Sequence, residues 1–219
     1  MRTHHRAFAA WVGTWTGSFV ASAALLGCLA SGARAALLLP GGSIPTTGGG
    51  TYGVAKVYDS GPVPFVSLSS VYSGLLDSQV WDEAGGTLDF VYQFSSSPNS
   101  GDSIKRFSVT DFEGLTTYAD DTPVGGGSAF PTSVDRSALG DVIGFNFATP
   151  VAPGATTYQM VIDTNATAFS PNGGTASWID GDVAFTAVPT PIPEPASGAL
   201  AAIALSSLAL RPRKTSRLS

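Results

Sequence analysis

The sequence predicts an all-β domain, a β-sandwich of which the jelly roll is one form, from three observations. Short runs of β-branched and aromatic residues recur between residues 36 and 188, clusters of Gly, Pro, Asn and Asp separate them, and no helical period interrupts them. The clearest strand is TLDFVYQF, where Leu88, Phe90, Tyr92 and Phe94 alternate with Asp89, Val91 and Gln93. A period of two marks a strand with one buried face. TYQMVIDT repeats the pattern with Tyr158, Met160 and Ile162, and further strands are expected at Tyr52–Tyr58, Phe65–Tyr72, Ser78–Asp82, Ile104–Asp111, Val142–Phe147 and Asp182–Ala187.

SSSPNSGDS, DDTPVGGGSAFP, ATPVAPGA and SPNGG read as turns, because Gly supplies positive φ and Pro fixes φ. Gly48–Gly50 and Gly125–Gly127 precede no helix and lack the Gly-Lys-Ser/Thr ending of a phosphate loop, so they are expected to be flexible loops. No internal repeat is visible, which disfavours a propeller or solenoid.

Two ends of different composition frame this domain. Arg2 and Arg6 precede an uncharged run from Ala7 to Ala33 with an apolar centre, FVASAALLGCLA, and Ala33-Arg34-Ala35 supplies the small-x-small pattern of a signal-peptidase site. Residues 1–35 are therefore read as a signal peptide with a helical apolar segment, cut after Ala35. Lipidation at Cys28 in LLGC and an uncleaved N-terminal anchor are the competing readings. At the other end, residues 189–219 begin with PTPIPEP, expected to be extended and unable to continue a strand. Ala196–Leu210 follows, fifteen residues without a charge. As a helix it spans about 22 Å, short against a hydrocarbon core of about 30 Å. Arg211, Arg213, Lys214 and Arg217 then form a basic stop expected on the cytoplasmic side.

Once both ends are set aside, residues 36–188 hold four basic residues (Lys56, Lys105, Arg106, Arg136) against fifteen acidic ones, a net charge of −11 where the whole chain has −5. A phosphate backbone is repelled by such a surface, so no nucleic-acid partner is expected, and cations are the natural counterpart. Both His and the lone Cys lie in the N-terminal segment, which removes thiol chemistry, imidazole catalysis and His- or Cys-ligated zinc from the domain.

Carboxylates are the remaining catalytic material. Asp82-Glu83, Asp120-Asp121 and Asp180-Gly181-Asp182 are the closest pairs, and glycoside hydrolysis runs on two carboxylates at defined separation. Solvated surface acids are the competing reading and the favoured one; a carboxylate-dependent glycoside hydrolase stays a minor alternative. Asp180 and Asp182, at a tight turn, are the candidate calcium ligands, calcium being the one cofactor considered. Trp81 and Trp178, with Tyr52, Tyr58 and Tyr118, are either core or a sugar-stacking strip.

Pro193-Glu194-Pro195, the Ala196-Ser197 that follows, the apolar run and the Arg-rich end together resemble the PEP-CTERM sorting signal of bacteria that make extracellular polysaccharide. That resemblance implies an exosortase as partner, cleavage near the motif after a transient inner-membrane precursor, and a mature protein that is secreted or at the cell surface. GTLDFVYQF, IKRFSVTDFEG, DRSALGDVIGFNF and PGATTYQMVIDTNAT resemble the secreted β-domains of planctomycete type that carry this signal. The expectation is a non-enzymatic surface or matrix protein associated with exopolysaccharide or biofilm, with a carbohydrate- or calcium-binding module as the alternative.

Overall fold

The computed structural model describes residues 35–192. Ala33, the sorting residues Pro193, Glu194 and Pro195, the basic residues Arg211, Arg213, Lys214 and Arg217, and both expected flanking helices lie outside the described residues.

The described residues are all-β and form two antiparallel sheets. In chain order the strands are β1 (Ala36–Leu37), β2 (Ser43–Pro45), β3 (Ala55–Asp59), β4 (Val63–Val66), β5 (Ser73–Asp82), β6 (Leu88–Ser96) and β7 (Ile104–Val109). They continue as β8 (Thr117–Thr122), β9 (Ser133–Arg136), β10 (Ile143–Val151), β11 (Gln159–Thr164), β12 (Phe169–Ile179) and β13 (Val183–Pro191). The first sheet runs β1-β8-β11-β6-β5-β3, with β4 also on β5; the second runs β13-β12-β7-β10-β9-β2. The chain changes sheet between β1 and β2, β2 and β3, β6 and β7, β7 and β8, β8 and β9, β10 and β11, and β11 and β12.

One core lies between the sheets, built by the alternation in β6 and β11. Phe90, Tyr92 and Phe94 of β6, with Met160 and Ile162 of β11, face Phe107 of β7, Phe145 of β10 and Trp178 of β12. Phe94 meets Trp178 edge-on at 6.0 Å and lies tilted at 33° to Phe107 at 5.7 Å, while Phe65 stacks on Trp178 at 3.8 Å. Offset and edge-on contacts of this kind add to the burial of apolar area. Two phenols tie the sheets by hydrogen bonds inside the core. Tyr92 Oη donates to Pro189 O at 2.7 Å, and Tyr72 Oη lies 2.8 Å from both Trp178 O and Asp182 O. Burial, first of all, holds both hydroxyls protonated, with Tyr72 pushed up to about 12 and Tyr92 well above its ordinary value.

Three sequence expectations need correction. The strand expected over Phe65–Tyr72 ends at Val66, because Ser67 Oγ takes the amides of Val71 and Tyr72 and closes a turn. SPNGG does not end a strand. Pro171, Asn172 and Gly173 bulge out between Ser170 and Gly174 while β12 continues through them. PTP of the Pro-rich run is not outside the fold either, since Pro189–Pro191 is the end of β13 and is buried. Proline is tolerated there because β13 is an edge strand, and an edge residue can do without its N–H.

Arg136 joins the parts. The residue is 4% exposed, and among the described residues its guanidinium meets no carboxylate. Instead Nε donates to Gly140 O, Nη1 to Leu38 O, and Nη2 to Phe112 O and Leu115 O, at 2.7–3.1 Å. Burial pulls its pKa down from the usual arginine value. An arginine fork serves four carbonyls in one plane, which a lysine ammonium cannot do.

Two outcomes follow for stability. Arg136→Lys strands buried carbonyls and is expected to lower the unfolding free energy by about 3 kcal/mol or more, measured by urea unfolding. A domain cut after Val188 loses the Tyr92–Pro189 bond and the buried end of β13, and is expected to be less stable by about 2 kcal/mol than one cut after Ile192. Equal midpoints for the two lengths would show that Pro189–Pro191 adds nothing to the fold.

Candidate functional site

The outward face of the first sheet carries the polar chemistry of the domain. Register places Gln79 beside Val91, Val161 and Asp120, and Trp81 beside Asp89, Asp163 and Tyr118, as rows across β5, β6, β11 and β8. Asp89 and Val91 alternate with the core set, which the period of two reads as the solvent side of β6. Yet Gln79, Asp89, Val91, Asp120, Gln159 and Asp163 are buried. The cover includes the segment from Thr46 to Val54, which leaves β2 and crosses the first sheet from β8 toward β5.

Hydrogen bonds trace this strap. Thr47 donates its N–H and its hydroxyl to the Asp120 carboxylate, Gly48 N to Asp121 Oδ1, and Gly50 N to Asp121 O. Further on, Tyr52 Oη lies 3.0 Å from Gln159 Oε1, Gly53 N donates to Asp89 Oδ2 at 2.6 Å, and Val54 N to Asp82 O. A Cβ on Gly53 would stand 2.2 Å from Asp82 O, so only glycine allows this approach. Gly48–Gly50 is thus a pinned segment and not the flexible loop expected from its composition.

Gly125–Gly127 departs from expectation in the same way. Gly127 has φ +118, and a Cβ there would lie 2.3 Å from Thr157 O. The loop packs against the segment leading into β11 and against β6, with Ser128 N and Ala129 N donating to Thr156 O and Gln93 Nε2 to Gly126 O.

Where the strap ends, Glu83, Asp89 and Asp163 bring a carboxylate oxygen each within 4.8 Å of one another. Thr87 Oγ1 donates to Glu83 and Gly53 N to Asp89. Three carboxylates are part of the oxygen set that a hard divalent cation takes, calcium using six to eight. The sequence offered a different pair. Asp180 lies 2.7 Å from Lys105 Nζ, and Asp182 accepts the amides of Ser69 and Val183; the Ser67 hydroxyl first, then these amides, hold its carboxyl below the ordinary value. Both serve the β12–β13 turn and its neighbours. The trio was illegible in the sequence because its members lie on three separate segments joined only by strand register.

The aromatic candidates divide. Trp178 is core, and Tyr58 packs edge-on to Phe169 at 5.7 Å. Trp81 and Tyr52 pack together at 4.8 Å on the outward face, with Lys56 Nζ 5.4 Å from the Trp81 ring. Trp81 Nε1 donates to Gln79 Oε1, and Gln79 Nε2 to Asp77 Oδ2. Tyr118 is half-buried in the same row as Asp163.

Ala35, the residue before the expected cleavage, is buried at 6% exposure, and Ala36 and Leu37 pair with Ala119 and Tyr118. No protein-family model, curated protein or solved structure matches the chain.

The Asp121 carboxyl is pushed up to about 6, by burial first, against the pull of the Gly48 amide, and by Asp120 beside it. Its protonated form is therefore the one the fold favours. The stability this contributes is present below the ordinary aspartate range and is lost as pH rises through about 6. Asp121→Asn keeps an acceptor for Gly48 N and carries no charge. Relative to the parent, the variant is expected to gain stability between pH 4 and pH 7, read as a widening gap in melting temperature. A gap constant with pH would place the titration elsewhere.

Proposed function

We propose that this chain is an exported, non-enzymatic surface or matrix protein, released or attached by an exosortase and associated with exopolysaccharide. The supporting observation is where the fold closes. Among the described residues the last backbone hydrogen bond is Ile192 N to Ala168 O, one residue before Pro193-Glu194-Pro195. The segment that resembles a PEP-CTERM signal, with its apolar run and basic stop at Arg211, Arg213, Lys214 and Arg217, thus follows closely on β13, which ends at Pro191. At the front, β1 starts at Ala36, directly after Ala33-Arg34-Ala35.

A non-enzymatic role is supported by how the acidic pairs are used. Asp120 is taken by Thr47, Asp180 by Lys105, and Asp182 by backbone amides. We read the repeated change of sheet along the chain as the jelly-roll form of a β-sandwich.

Glu194→Ala removes the charged centre of the motif and leaves the apolar run and the basic stop untouched. In a host with an active exosortase, an epitope after Ser219 is expected to vanish from the mature wild-type protein and to persist on the Glu194→Ala chain, which accumulates in the membrane. An epitope inserted before Thr190 would disturb β13, so the retained tag belongs in the exposed Ser97–Asp102 turn. A plain tail anchor predicts the same fate for both chains, and that result would remove the sorting signal.

A further inference from the structure

At the β8 end of the strap, Thr46, Thr47, Asp121, Phe130, Thr132 and Tyr158 line a cleft of about 370 Å³. A second cleft of about 250 Å³ adjoins it through the shared residues Phe130 and Thr132 and extends past Ser128 and Thr149. Binding sites for small ligands commonly occupy a few hundred Å³. The Phe130 ring is 54% exposed and lies 5.7 Å from the half-buried Tyr158 ring at 39°.

Phe130 is not a loose surface side chain. Its loop is pinned on one side by Ser128 N and Ala129 N to Thr156 O and by Tyr158 N to Ala129 O. On the other side Thr132 N donates to Asn146 O and Thr46 Oγ1 to Pro131 O, with Pro131 itself buried. The glycine at 127, with its close approach to Thr157 O, sets the path. The fold therefore holds a large apolar ring in water at a fixed position, where burying it elsewhere would stabilise the domain.

The polar complement is matched to hydroxyls. The Asp121 carboxyl is 2% exposed and reaches the cleft from its buried end, with Gly48 N bound to Oδ1. The hydroxyls of Thr46, Thr47 and Thr132 donate to Pro131 O, Asp120 and Asn146 O respectively, so each presents acceptor lone pairs. Aromatic faces for C–H groups, one buried carboxyl to accept O–H donors, and lone pairs at the rim are what a sugar ring requires.

We propose that this cleft binds a neutral hexose unit of a polysaccharide, stacked on Phe130 and Tyr158 with a ring hydroxyl donating to Asp121. The site is separate from the sorting segment, so it holds or fails independently of export. An organic cation is the other ligand with an affinity for aromatic rings beside an acid. It is disfavoured because a quaternary ammonium has no O–H to donate to the lone pairs of Thr46, Thr47 and Thr132.

The test uses the purified full chain and three neutral probes, cellohexaose, mannohexaose and galactohexaose, with tetramethylammonium as the competing cation. Saturation-transfer NMR and calorimetric titration read the binding. At least one hexaose is expected to bind, and Phe130→Ala is expected to weaken it at least about tenfold. Because the ring is exposed, the melting temperature should not move. Tyr158→Leu keeps apolar bulk while removing the ring, and is expected to weaken the same probe. The proposal is overturned if none of the hexaoses binds at millimolar concentration, if both variants bind like the parent, or if tetramethylammonium binds at this site in their place.

Discussion

A buried arginine, Arg136, held by four backbone carbonyls fixes the relation between the N-terminal edge and the body of the domain. Arg136 belongs to β9 in the second sheet, while Leu38, whose carbonyl it holds, follows β1 in the first. Phe112 and Leu115, in the connection from β7 to β8, meet the same guanidinium, as does Gly140 in the β9–β10 hairpin. Four carbonyl dipoles replace the water that a charge of this size otherwise demands. The arrangement tolerates no partial occupancy, since loss of any one segment leaves both a charge and its remaining partners under-satisfied. Leu38 and Phe112 are accordingly buried beside it.

That constraint accounts for which strands the sequence disclosed. β6 and β11 were legible because one face carries Phe90, Tyr92, Phe94, Met160 and Ile162 and the alternation is uninterrupted. β8, with the sequence TYADDT, showed no such contrast. Asp120 and Asp121 are buried there by Thr47, Gly48 and Gly50, residues more than seventy positions away in the chain. β9 is four residues long and earns its place through Arg136, a residue that patterns count as polar. β12 was obscured by Pro171, Asn172 and Gly173, whose turn chemistry is spent on a bulge inside the strand. Local composition reports the backbone conformation a residue permits, and tertiary pairing decides whether that conformation ends a strand or bends it.

The polar face of the first sheet was misjudged for a related reason. Alternation assigns Asp89, Gln79 and Asp163 to the outside, and they do point away from the core. The strap then covers them, so they become buried polar groups that must be satisfied. Glycine makes the covering possible at Gly53, where the backbone amide reaches Asp89 without a side chain in the way. The same logic holds Phe130 at the opposite end, where Gly127 lets the loop close on the segment leading into β11. Glycine-rich stretches in this chain create rigidity through close approach, which composition alone reads as freedom.

The edges explain how such a domain stays separate from its neighbours and where its chain leaves. β1 and β2, at one end of each sheet, are two and three residues long and offer little to a passing strand. At the far edge of the second sheet β13 is nine residues long, but Leu68 N already takes Val183 O, and Pro189 O is turned to Tyr92. Pro189 and Pro191 have no N–H to donate, and Pro193 follows with none. Tyr92 thus fastens the last strand of the second sheet to the first sheet through a backbone carbonyl, which a proline supplies as well as any other residue.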